Sequence, residues 1–153
     1  MTPDAVWLAR HIRLMRASHR HWTGQDLLPA GLDGTQAVEA LDAAGFALIS
    51  HGTQPDPIFN YANAAALQLF DMSWQAFTKL PSRLSAEPLL QADRDHLLAR
   101  VAELGYIDDY TGVRISGSGR RFRIRNATVW NLVDESGRPY GQAALLREWQ
   151  ALD

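Results

Sequence analysis

The chain has no cysteine, so any chemistry it performs falls to amides, hydroxyls, imidazoles, carboxylates and guanidiniums. In the run Phe122 to Leu132, polar Asn126 and Thr128 alternate with apolar Ile124 and Trp130. Strand periodicity puts all four on one face, with Arg121, Arg123, Arg125 and Val129 on the other. A buried amide with no partner costs about 1–3 kcal/mol. A ligand, a trapped water or a neighbouring backbone group must therefore satisfy Asn126. Gln142, on the next strand, reaches towards the same space. Arg83 carries a planar donor fork suited to an anionic group such as phosphate. Asp108 and Asp109, beside Tyr110, offer a carboxylate base for a small enzyme. The pattern contains no metalloprotease helix motif, nucleophile elbow or P-loop, so no catalytic residue and no metal ligand set is assigned.

Histidines are the other candidates. His11, His19 and His21 cluster in sequence, but the spacing of His19 and His21 separates them on a helix, which argues against a metal site. His51 sits at a strand end, where either a pocket or a backbone group satisfies it. His96 lies on a long helix. Its neighbours Asp93, Arg94 and Asp95 favour a solvated side chain.

These residues need a scaffold. Leu8, Ile12, Met15, His19 and Trp22 fall at steps of four and three, predicting an amphipathic helix over 4–22 with Arg10, Arg13, Arg16 and Arg20 opposite. That helix packs either on its own domain or on a second copy. Asp33-Gly34-Thr35-Gln36 starts a helix that runs through Ala44. Phe46 to Ser50 and Pro57 to Tyr61 read as strands. Asn63 suits a helix N-cap before Ala64-Ala65-Ala66-Leu67, and Ser73 caps a shorter helix through Phe77. Gln91 to Leu104 is helical, with Leu90, Leu97, Leu98, Val101 and Leu104 as its buried stripe and Gly105 ending it. Three strands close the chain: Asp109 to Ser116, Phe122 to Leu132 and Tyr140 to Trp149. Gly117-Ser118-Gly119 joins the first two as a hairpin turn. The expectation is an α+β fold: a five-stranded antiparallel sheet with helices on one face, and an N-terminal helical extension (1–32) preceding the domain (33–153).

Composition narrows the function classes. The 153 residues are 46% apolar and 21% charged, enough to fill a single core. A net charge of −2 gives no general attraction to nucleic acid or an anionic membrane, even though 14 of the 15 basic residues are arginine. The arginine ladder at 121, 123 and 125 lacks the interleaved aromatics of a nucleic-acid platform. No signal-peptide core or membrane-length apolar run is present, so a cytoplasmic location is expected.

The stretch Tyr61-Ala62-Asn63, with Ala65 and Leu69-Phe70 after it, resembles the strand-to-helix junction of PAS sensor domains. Asp71 departs from the glycine many of them carry there. Over the whole chain the resemblance is to a bacterial member of the MEKHLA domain family, a PAS-related group also found at the C-terminus of plant homeodomain–leucine zipper factors. It is carried by His51-Gly52, Pro57 to Asn63, Arg83 to Pro88, Tyr110 to Ser116, Gly119 to Phe122, Ala127 to Leu132 and Gly141 to Ala144. No homeodomain or zipper heptad accompanies it. The resemblance implies a PAS-like sensory or small-molecule-binding module that signals through association, as a homodimer or with a protein partner. Its ligand would lie between the sheet and the middle helices. Asn60, Tyr61, Trp74, Phe77, Arg83, Asn126, Thr128, Trp130 and Gln142 are the candidate pocket residues. Pro81 to Leu84 also resembles the cysteine-bearing segment of light-sensing flavin domains, but Ser82 stands where their reactive cysteine would be. A photoadduct is thereby excluded, and non-covalent flavin is left as an option beside haem, since the resemblance extends to PAS haem sensors that ligate iron through a histidine on the long helix, where His96 lies here. The alternatives to a sensor are a small enzyme acting on an apolar carbonyl substrate and a ligand-free protein-interaction domain.

Overall fold

A computed structural model describes residues 4–86 and 91–152. The described elements are α1 (Ala5–Thr23), α2 (Gly34–Ala43), β1 (Ala47–His51), β2 (Phe59–Ala62), α3 (Ala64–Phe70), α4 (Trp74–Phe77), a 3-10 turn (Ser82–Ser85), α5 (Gln91–Leu104), β3 (Tyr106–Ile115), β4 (Arg121–Val133), β5 (Pro139–Leu146) and β6 (Glu148–Leu152). The strands form one antiparallel sheet in the order β2-β1-β5-β4-β3, with β6 also paired to β4. Leu90, expected in the α5 stripe, lies outside the described residues, and so do Glu87 and Pro88.

Local chemistry explains the elements. Asp4 caps α1 through the N–H groups of Val6 and Trp7. Ser73 caps α4 through Ala76 N–H. Asn63 is fully buried and ties down more than a helix end. Its Oδ1 accepts from Ala66 N–H (3.1 Å) and Leu48 N–H (3.0 Å), and its Nδ2 donates to the carbonyls of Leu41 and Phe46 (2.9 Å each). One side chain thus joins α2, β1 and α3. At the other end of α3, Asp71 adopts a left-handed conformation (φ 53°), a backbone state that glycine enters at less cost.

The sheet is covered on both faces, which corrects the expectation of helices on one. Ile12 and Met15 of α1 and Leu41 of α2 pack with Leu48, Tyr61, Trp130, Leu132, Ala143 and Leu145. On the opposite face, Phe70 of α3 and Phe77 of α4 join Ala47, Phe59, Phe122, Ile124, Ala127 and Leu146. Leu97 and Val101 of α5 complete that side with Ile107 and Val129. The apolar stripe of α1 therefore packs on its own sheet. Leu104 is exposed, because α5 ends there on the solvent side.

The strand β4 changes phase at Asn126, a left-handed residue (φ 52°) in the middle of the strand. Before it, even-numbered Phe122 and Ile124 face α3 and α4. After it, odd-numbered Ala127 and Val129 share their side, while Trp130 and Leu132 face α1. A single left-handed residue inserts a bulge, and a bulge turns every later side chain over. The same irregularity interrupts the last strand, which was expected to run unbroken from Tyr140 to Trp149. Thr128 pairs with Leu145 and Arg125 with Glu148, so β5 and β6 keep one register across a break at Arg147.

Candidate functional site

The interior site lies between the sheet and α5. It is a cavity of about 50 Å³ with apolar walls from Ile49, Phe59, Phe70, Leu97, Val129 and Ala144. Its polar lining comes from His51, Ser82, Ser85, Arg94, Arg114 and Gln142. Each arrives by a definable route. His51 and Gln142 are directly paired across β1 and β5, so they share the face of Ile49 and Ala144. Arg94 stands three residues before Leu97 and seven before Val101, on the buried stripe of α5. Arg114 is paired with Phe122 and follows it to the same face. The two serines belong to the 3-10 turn.

Arg94 is the unusual member. It is only 5% exposed, and its guanidinium donates to Ser82 Oγ and, at 3.1 Å, to Asp95. Asp95 is itself 72% exposed, so it offsets little of the cost of burying the charge. Burial holds the Arg94 pKa below the usual arginine range, and the positive charge of Arg114 pushes it the same way. Arg114 donates to Ser85 Oγ at 3.2 Å and lies over the Tyr110 ring. Two guanidiniums that repel one another and converge on two hydroxyls make a site complementary to an anion.

The opposite polar wall holds two atoms without partners. His51 Nε2 and Gln142 Oε1 are buried and make no hydrogen bond among the described residues. Gln142 stands close enough to His51 to favour the protonated ring slightly, yet forms no bond of standard geometry with it. Burial is the largest influence on His51 and lowers its pKa. The charges of Arg94 and Arg114 lower it further, which places the two polar walls within electrostatic reach of each other. His51, Gln142 and Leu98 also line a surface groove, so this end of the cavity lies nearest to solvent.

Of the residues singled out from sequence, Gln142 lines this cavity, and Phe77 packs beside it, stacked on Phe59. The others lie elsewhere. Asn126 is exposed at the bulge, within 3.4 Å of Glu148, which corrects its expected place on the core face. Thr128 and Trp130 follow the phase change to the α1 face, where the Trp130 ring meets His19 edge-on. Tyr61 is on that face too, against His11 and Trp74. Asn60 accepts from Ser50 Oγ, whose oxygen also contacts buried His11. Arg83 is half-exposed and paired with Asp56. His96 is exposed on α5 and does not reach the interior. Sequence reasoning left His51 between a pocket and a backbone contact, and it has both, with Nδ1 on the Gly52 carbonyl and the residue in the cavity lining; Ser82, Ser85, Arg94 and Arg114 were missed as cavity residues. The signal for Arg94 was its spacing from Leu97 and Val101.

Flavin does not fit this interior. Pockets for cofactors of that size hold several hundred Å³, and the 50 Å³ here is bounded by the packed rings of Phe59 and Phe70. The arginine assigned to its phosphate points to solvent. Haem would need a histidine of α5 directed inward, and His96 is not.

The fold is that of the PAS class. It resembles the PAS domain of a protein from Colwellia psychrerythraea with a TM-score of 0.62 at 17% identity, covering 74% of this chain and 93% of that one. It also resembles the light-state dimer of the fungal blue-light photoreceptor Vivid, at TM-score 0.62 and 16% identity, over 96% and 95% of the two chains. Within that class the chain belongs to the MEKHLA domain family, whose model matches residues 9–151 and so begins inside α1. A curated relative, homeobox-leucine zipper protein ATHB-9 of Arabidopsis thaliana, is 26% identical over 153 residues, 97% of this chain. The chain spans 18% of that relative's length. No described helix is long and apolar enough to cross a membrane.

Proposed function

We propose that this domain is a sensory module of the PAS type whose input is a small molecule held between the sheet and α5. Its output passes by association with a second copy or a protein partner. The observation that carries the reading is the pair of buried acceptors on His51 and Gln142 that have no partner among the described residues, on two residues that line the same cavity as Arg94. Unsatisfied buried polar atoms are costly, and a bound molecule removes that cost. Catalysis has less support, because the carboxylates proposed as a base, Asp108 and Asp109, are both exposed.

The test is saturation-transfer NMR with a mixture of small acids, amides and alcohols, on the wild type and on Ala144→Leu. Ala144 lines the cavity, and the larger side chain fills it. The reading predicts transfer to at least one component in the wild type and its loss in the variant. Transfer that is absent, or equal in the two proteins, contradicts it.

A further inference from the structure

The hydrogen-bond partners around the cavity fix which polar atoms face it. The Val101 carbonyl can only accept, so the Asn131 Nδ2 that lies 2.9 Å from it is a donor. Asn131 Oδ1 is then an acceptor, and Gln142 donates to it through Nε2 at 3.0 Å. The oxygen is therefore the unpartnered end of the Gln142 amide, on a residue that lines the cavity. The same logic applies to His51. Its Nδ1 lies 3.0 Å from the Gly52 carbonyl and must carry the ring proton. In the neutral ring Nε2 is then an acceptor. Two acceptors on paired residues face one space, and neither can bond the other while the ring is neutral. A hydrogen-bond donor between them resolves the conflict. At the other wall, Arg94 and Arg114 call for an anion.

We infer that the cavity takes a small hydroxycarboxylate, its carboxylate on Arg94 and Arg114 and its hydroxyl hydrogen shared between His51 Nε2 and Gln142 Oε1. This rests on the reading of the cavity as a ligand site. Size agrees with it. At about 10–15 Å³ for each water-sized probe, the 50 Å³ cavity holds a molecule of a few non-hydrogen atoms, the range of glycolate and lactate. An amino acid of the same size is disfavoured, because its ammonium group would sit near two guanidiniums. The hydrophobic wall of Ile49, Val129 and Ala144 suits the carbon skeleton.

The experiment is a ¹H–¹⁵N correlation titration of the full chain with lactate, propionate, lactamide and nitrate. Propionate lacks the hydroxyl, lactamide lacks the charge, and nitrate is an anion with no carbon body. Lactate is expected to shift the amides of His51, Gln142 and Ala143 and to bind at least tenfold more tightly than each of the others. Gln142→Met should bring lactate down to the level of propionate, and Arg94→Gln down to that of lactamide. Should the buried Arg94 variant fail to fold, Arg114→Gln tests the same wall from a half-exposed position. Lactate binding no better than propionate or nitrate overturns the inference. If the four probes leave these amides unmoved while another component of the mixture of small acids, amides and alcohols moves them, the ligand class is wrong and the cavity reading stands. If nothing moves them, both fall.

Discussion

Replacing Asn63 with alanine removes four hydrogen bonds at one point in the fold. Ala66 N–H loses its cap, Leu48 N–H and the Phe46 carbonyl lose their side-chain partner, and the Leu41 carbonyl keeps only the N–H of Ala44. A lost helix cap alone costs about 1 kcal/mol. Each buried backbone group left unpaired adds about 1–3 kcal/mol, reduced where Phe46 is partly open to water. The sum is about 3–5 kcal/mol, a large share of the roughly 5–15 kcal/mol that holds a domain together. For a chain of this size that corresponds to a fall in Tm of roughly 6–20 °C. Thermal and urea unfolding measure it. Asn63→Asp separates the two roles. Aspartate caps as well as asparagine does, but it would set a carboxylate oxygen against the two carbonyls that Nδ2 now serves. The structure predicts that Asp is nearly as damaging as Ala at neutral pH. An Asp variant with wild-type stability would refute the argument that Asn63 braces three elements.

Stability should depend on pH through His11. It is fully buried, and burial together with the charge of Arg10 lowers its pKa to about 4. As pH falls, the unfolded state takes up the proton first. Stability is therefore complete above about pH 6.5 and declines by about 3 kcal/mol as pH falls to about 4. His19 and His51 shift in the same direction and add to the decline. Urea unfolding across this range checks it, and His11→Gln should flatten the profile. Gly141 (φ 141°) leaves no room for a side chain beside the His51 carbonyl, so Gly141→Ala should cost at least about 2 kcal/mol or prevent folding. Chemical denaturation reads that loss. Deleting residues 1–22 uncovers Trp130, Leu132 and Leu145, and the truncated chain should lose cooperative unfolding by circular dichroism. A stable folded monomer would contradict that role for α1.

The helices were legible because their signals are local. Asn63, Ser73 and the α1 stripe depend on residues three or four apart, and each appears where its spacing puts it. The phase of β4 was not legible by alternation alone, because Asn126 turns the later residues over. The clue was in Ala127 to Val133, where apolar residues occupy successive positions rather than alternate ones. That pattern marks a strand buried on both faces and calls for helices on both. The cavity was hidden for a related reason. Its polar members come from β1, the 3-10 turn, α5, β3 and β5, and no spacing in the chain brings them together. Gln142 alone was found, through its neighbouring strand. Arg94 sat among charged neighbours that disguised a stripe position.

The central claim, that the space between sheet and α5 is a ligand site, is most directly tested by a crystal structure with the tightest-binding component of the mixture of small acids, amides and alcohols. The account predicts density inside the cavity, touching His51 and Gln142 at one end and Arg94 at the other. Density in an outer groove, with the cavity unchanged, would contradict it.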